Sequence, residues 1–239
     1  MSLTDIPINK ILFLDIETVP QYASFDEMPE HFKELWTLKA EKIDKEQTPS
    51  DVYQRAGIYA EFGKIVCISV GTVYTKKNCK TIRIKSFAGE NEKEILTRFF
   101  ELLNKYYSTD DCFLCGHNGK EFDFPYIARR AIIHRLKLPK ILDTAGSKPW
   151  EVKHLDTMEL WRFGDYKNFT SLNLLAAIFD IPTPKDDISG KDVFRVYYEE
   201  KDLKRITTYC QKDVVTLIQI FLRYRGEDMI PPENIELVE

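Results

Sequence analysis

Two carboxylates with one residue between them, Asp15 and Glu17, close the apolar run Ile11-Leu12-Phe13-Leu14. Four such residues read as a buried strand. Alternation along an extended chain points both acids to one side, roughly 7 Å apart. Like charges on one face repel unless something positive lies between them. A hard cation such as Mg²⁺ is the usual solution, held by one or two carboxylates together with substrate phosphates. A solvated pair of acids in a strand-end loop is the plain alternative. Two later stretches bear on the choice. Asp123 stands in Gly116-His117-Asn118-Gly119-Lys120-Glu121-Phe122-Asp123-Phe124-Pro125, where a helix beginning near Pro125 places it at the positive helix end. Capping alone is sufficient reason for an acid there. Tyr209 and Asp213 are four apart in a helical stretch, so phenol and carboxylate share a face. Ile206, Val214 and Leu217 put that face near the core, where an acid needs a partner.

The elements that have to bring these groups together follow from the apolar pattern. Residues 64–74 (KIVCISVGTVY) are rich in β-branched side chains and read as a central strand, and 80–87 (KTIRIKSF) alternate as a half-exposed antiparallel partner. Residues 91–107 form an amphipathic helix with Asn91 as its N-cap, and 112–115 a short buried strand. Helices are expected over 122–137, 171–180, 191–201 and 203–224. An insertion at about 20–60 carries an amphipathic helix over 29–46 behind Pro29. The cluster Thr48-Pro49-Ser50-Asp51 then caps a short helix through Tyr59. The insertion shows no motif and reads as a lid or an edge decoration. Strands with a crossover helix, then helices, predict one α/β domain over 1–239 with a mixed sheet.

Other features are set aside. Cys112 and Cys115, three apart in a strand, face opposite sides, which makes a shared metal awkward. His31, His117, His134 and His154 show no ligand spacing. Asp156 is the reserve acid should Asp123 serve another purpose. Arg129, Arg130, His134, Arg135 and Lys137 are read on the polar face of the 122–137 helix, either as a path for phosphates or as a solvated face. A D-x-D-x-T phosphatase is excluded, because position 17 is Glu and position 19 is Val.

A net charge of −4, from 38 acidic and 34 basic residues, argues against a sequence-independent nucleic-acid coat. No apolar run reaches membrane-spanning length, so no membrane partner is expected; protein partners stay unknown. The N-terminal residues lack signal-peptide features, and five cysteines without a framework fit a reducing compartment, so a cytoplasmic location is expected.

Together the motifs resemble a known set in order and spacing. Asp15-Ile16-Glu17-Thr18, then His117-Asn118 through Phe122-Asp123, then Tyr209-Cys210 through Asp213, resemble the three motifs of the DEDD exonucleases. The tyrosine belongs to their DEDDy branch. The chain looks similar to stand-alone exonucleases related to the proofreading domain of family B DNA polymerases. Glu61–Ser69, Leu155-Asp156, Ser171-Leu172, Ile181-Pro182, Lys185 and Ser189–Val193 carry the likeness between the motifs. The resemblance implies a ribonuclease-H-like α/β mixed sheet flanked by helices. It implies metal-dependent 3′→5′ hydrolysis of single-stranded nucleic-acid ends, DNA rather than RNA, releasing nucleoside 5′-monophosphates. Two divalent ions, Mg²⁺ or Mn²⁺, would be held by Asp15, Glu17, Asp123 and Asp213. Asp15 would bridge both, Glu17 and Asp213 would complete one site and Asp123 the other, with Tyr209 orienting the attacking water. Ile16, Thr18, Asn118 and Phe122 are the substrate-binding candidates. An exoribonuclease on the same fold and a non-catalytic nucleic-acid-binding module are the alternatives.

Overall fold

The computed structural model describes residues 3–165, 167, 169–182 and 188–238. Lys185 lies outside the described residues. The elements, in chain order, begin with strand β1 (Ile11–Pro20) and helix α1 (Glu30–Ile43), followed by a 3-10 turn over Tyr53–Ile58. Strands β2 (Gly63–Lys76) and β3 (Cys79–Ala88) lead to helix α2 (Glu92–Tyr106), strand β4 (Phe113–Gly116) and helix α3 (Asp123–Ile133). Strand β5 (Leu155–Asp156) runs directly into helix α4 (Thr157–Arg162), and then come α5 (Leu172–Ile178), α6 (Val193–Tyr198), α7 (Leu203–Tyr224) and strand β6 (Ile235–Val238).

The six strands form one mixed sheet in the order β5-β4-β1-β2-β3-β6. The β1–β2 and β2–β3 pairs are antiparallel, and β4, β5 and β6 join in parallel. Period-two alternation divides β1 between two cores. Leu12, Leu14 and Ile16 enter a cluster with Leu96, Phe99 and Leu103 of α2 and Phe124 and Ile127 of α3. Ile11 and Phe13 face the other way, against Val214, Leu217, Ile218 and Phe221 of α7. Asp15 and Glu17 continue the Phe13 side, which is the side of α7. Each of these large side chains stabilises the fold by about 1.5–3 kcal/mol through burial.

Several expectations shorten or change in detail. The helix expected to reach residue 137 ends at Ile133, because Arg135 turns left-handed at φ 57°. Residues 171–180 and 191–201 likewise give shorter helices, closed by left-handed Asp180 and Lys201. The short helix before Tyr59 is a 3-10 turn. Asn91 caps α2 by accepting from the Glu94 N–H. Cys112 and Cys115 lie in different cores, on opposite faces of the sheet. Strands β5 and β6 and helix α4 were not expected. No described helix is long and apolar enough to cross a membrane.

Candidate active site

The acids gather at the carboxyl end of β1. Along that strand the register against β2 is regular through Glu17, paired with Cys67, and then slips, so that Thr18 pairs with Ile65. Val66 is left unpaired, so the bulge lies on β2 opposite Glu17 and Thr18, where it bends β2 and increases the local twist. On the other edge, β4 covers only Ile11–Phe13. Beyond it the Ile16 N–H is taken by a carboxylate: Asp123 accepts from it at 3.1 Å. Asp123 therefore does more than begin α3; it ties α3 to β1 across 107 residues of sequence.

Helix α7 supplies the rest. It sits close over β2 because Gly71 has no side chain. A Cβ there would come within 2.7 Å of Ile218 Cδ1 and 2.8 Å of Val214 Cγ1. That approach brings Tyr209, Cys210 and Asp213 over β1. The Cys210 thiol donates to the Asp15 carbonyl and to Asp15 Oδ2, both at 3.4 Å. Ligand atoms of Asp15, Glu17 and Cys210 all lie within 4.8 Å of one another. Cys210 was not among the expected site residues, although its place three positions before Asp213 gave a helical-spacing signal.

The electrostatics are those of acids crowded together and repelling one another. Burial and the charges of Asp123, Glu17 and Asp213 hold the Asp15 carboxyl well above the usual carboxylate range. Glu17, 7% exposed, is raised by burial and then by Asp213. Burial pushes Asp123 up to about 7 against the opposing pull of the N–H groups it accepts from. Tyr209 is raised by burial, by Asp213 and Glu17 and by its hydrogen bond to Asp213, so it stays a phenol. No hydrogen bond or ion pair reaches the Glu17 carboxylate from the described residues. A buried charge left so is costly. An oxygen-rich donor set of this kind fits a hard divalent ion.

A cleft of about 540 Å³ opens beside Glu17, and Ile16, Thr18 and Phe122 line it as expected. Phe122 also packs on Tyr126, with ring centroids 5.3 Å apart, so it serves core and cleft at once. Asn118 is not part of this lining. It adopts φ 63° and gives its N–H to Asp156. Arg55 of the insertion, Lys191 just before α6 and Phe194 in its first turn complete the wall; no motif marked them in the sequence.

The reserve acid and the basic helix face have other roles. Asp156 accepts from the N–H groups of Asn118, Lys120, Met158 and Glu159, capping α4 and shaping the 116–121 loop. His117 bonds Thr157 Oγ1 and the Thr170 carbonyl, behind the same loop. Arg130 is not on a polar face: it is 3% exposed and ion-paired with Glu92, which also accepts from His134. Those side chains are structural.

A mixed sheet with an acid cluster at the end of its central strand belongs to the ribonuclease-H-like α/β class. The structure superposes on a family B DNA polymerase from the archaeon Pyrobaculum calidifontis with a TM-score of 0.51, over 89% of this chain and 24% of that one, at 15% identity. That likeness is one of fold. Residues 58–230 match the family described as a predicted 3′-5′ exonuclease related to the exonuclease domain of PolB, and the chain belongs to it. It is also 22% identical over 156 residues to a DNA polymerase of Pyrococcus glycovorans, covering 60% of this chain and 19% of that one. The chain thus spans a quarter or less of the polymerases it matches. The family match begins after β1, so Asp15 and Glu17 join the site by geometry alone.

Proposed function

We propose that the protein is a metal-dependent 3′→5′ exonuclease of the DEDDy type, one domain over 1–239 acting on single-stranded DNA ends. The observation that carries this reading is the approach of Asp15, Glu17, Asp123 and Asp213 at one strand end, where the other three acids raise Asp15 and no hydrogen bond or ion pair from the described residues reaches Glu17. Asp15, Glu17, Asp123 and Asp213 would hold two ions, Mg²⁺ or Mn²⁺. When bound, such ions neutralise charge on the attacked phosphate and on the attacking and leaving oxygens.

The chain's own residues then have separable tasks. Asp15 and Glu17, fixed by β1, and Asp213, fixed by α7, set the spacing of the donor oxygens. Asp123, held by the Ile16 N–H, keeps its carboxylate turned toward β1. Tyr209 cannot serve as a base while it remains protonated. Its hydroxyl is suited to donate a hydrogen bond and to orient the attacking water. That water forms the new P–O bond, the P–O3′ bond breaks, and the terminal residue leaves as a nucleoside 5′-monophosphate. Ile16, Thr18 and Phe122 line the cleft where the terminal nucleotide would lie. Base stacking on Phe122 would be sequence-tolerant. Five free cysteines suit a cytoplasmic, reducing location.

The test is digestion of a 5′-labelled single-stranded oligonucleotide with Mn²⁺, DNA and RNA in parallel. Stepwise shortening from the 3′ end is expected, with Asp15→Asn slower by at least about 10³-fold, or about 4 kcal/mol. An intact DNA strand with a shortened RNA strand would move the assignment to an exoribonuclease. Binding without cleavage of either would leave a non-catalytic module.

A further inference from the structure

The 20–60 insertion has a compact core of its own, with Trp36, Ala40, Val52, Tyr53 and Ala56 buried together. Its last turn, Tyr53–Ile58, is locked onto β1. A Cβ on Gly57 would meet the Val19 carbonyl carbon at 3.1 Å and Pro20 at 3.2 Å, so a larger residue would push the turn off β1 by a few tenths of an ångström. The Tyr126 hydroxyl donates to the Gly57 carbonyl at 2.8 Å. Across the cleft, the Tyr198 hydroxyl of α6 donates to the Pro20 carbonyl at 2.6 Å. Both walls are therefore fastened to the strand that carries Asp15 and Glu17.

Each wall presents one cation. Arg55 comes from the locked turn and Lys191 from the segment before α6; both are exposed and both line the cleft that starts at Glu17. Among the described residues neither makes an ion pair, whereas Arg83, Arg130, Arg195 and Arg225 all do. Apolar surface lies between them, from Phe122, Phe194 and the half-exposed Ile58. A cleft of about 540 Å³ falls within the range of about 300–1,000 Å³ typical of small-ligand sites. Cations bordering apolar rings are the pairing that single strands use, backbone on charge and base on ring. The need is physical. A polyanion approaching four clustered acids in a chain of net charge −4 is repelled unless local cations receive its phosphates. Arginine suits this role because its planar fork can hold a phosphate with two parallel hydrogen bonds.

We propose that Arg55 and Lys191 form a phosphate clamp for the single strand just upstream of the bond to be cut. The insertion is thus part of the substrate site rather than an edge decoration. The proposal rests on the exonuclease reading for the direction of the strand, but the clamp itself is a binding site. Arg55 and Lys191 are positioning residues; the chemistry stays with the acids.

Two measurements test it. The first is equilibrium binding of a short 5′-fluorescent single strand in EDTA, over a salt series. Arg55→Ala and Lys191→Ala are each expected to weaken binding about tenfold and to lower the slope of log K against log salt by about 0.7. Arg55→Lys, which keeps the charge, is expected to restore the slope. The second, with Mn²⁺, is the ratio of kcat/KM for a trinucleotide to that for a dinucleotide, which has no phosphate upstream of the scissile one. The unaltered protein should favour the trinucleotide, and Arg55→Ala should lower that ratio by about tenfold through KM. An unchanged salt slope overturns the clamp, as does an equal loss on both substrates. If the unaltered protein cuts nothing while the binding losses remain, the exonuclease reading fails and the clamp stands.

Discussion

Two places in this molecule bury carboxylates almost equally and treat them in opposite ways. Glu92 is 5% exposed and accepts from Arg130 Nε at 2.9 and 3.1 Å, from His134 at 2.6 Å and from the Ile65 N–H at 2.7 Å. Arg130 in turn gives Nη1 to the Ala60 carbonyl, so the network fastens α2, α3 and β2 together. Glu17 is 7% exposed and receives no such donor among the described residues. Asp213 and Asp123 act on it by repulsion. A carboxylate that the fold satisfies is part of the scaffold; one that the fold buries and leaves unmatched keeps its charge for something outside the chain. Burial alone does not separate the two. The partners do.

Breaking the satisfied side should have the largest effect on stability. Arg130→Met leaves Glu92 buried with only His134 and a backbone N–H. The expected loss is about 3–5 kcal/mol, or about 10 °C in Tm for a chain of this length, read in thermal melts. A variant that melts with the unaltered protein would show that the pair is not holding the helices.

The acid side should respond to pH with the opposite character. Asp123 has a folded value of about 7 against an ordinary 3.8. A raised carboxyl stabilises the fold fully below pH 4, and that contribution is lost as pH rises through 7, up to about 4 kcal/mol from this group. Melts in EDTA should therefore fall in temperature from pH 4 to pH 7. A flat profile over that window would remove the argument for a cluster of mutually repelling acids. At fixed pH 7, Mn²⁺ should reverse the effect. An ion at about 100 times its Kd contributes about 2.7 kcal/mol, so Tm should rise with Mn²⁺ concentration, and Asp15→Asn should blunt the rise.

The same contrast marks what could be read from the sequence. Asp15, Glu17, Asp123, Tyr209 and Asp213 stood out because each sits at an element end or on a helix face with a spacing that local geometry interprets. Arg130 was misread although its position was informative. It falls four residues after Tyr126 and three after Ile127, on the buried stripe of α3, and only its charge argued for solvent. The bulge opposite Glu17 and the Asn118 and Lys120 N–H groups on Asp156 depend on pairings 36 or more residues away. Strand β6 is four residues at a sheet edge, too short for alternation to show. The cleft wall could not be inferred, because nothing in residues 53–58 encodes that they dock on Val19 and Pro20.

The smallest effect is also the sharpest, because one chemical change should have opposite signs in the two places. Replacing a carboxylate with its amide removes a charge and keeps the shape. At Glu92 the amide loses charge-assisted bonds to Arg130 and leaves that guanidinium buried without a counter-charge, so Glu92→Gln should destabilise. At Asp213 the amide removes one of the charges that raise Asp15, Glu17 and Tyr209. In EDTA at pH 7, Asp213→Asn should therefore be more stable than the unaltered protein, by about 1 kcal/mol or a Tm gain of about 3 °C. With saturating Mn²⁺ the order should invert, since the variant has lost a donor oxygen. Destabilisation of Asp213→Asn without metal would mean that the bonds Asp213 makes within the fold, the Tyr209 hydroxyl among them, outweigh its repulsion of Asp15 and Glu17, and the distinction between the two buried sites would collapse at that residue.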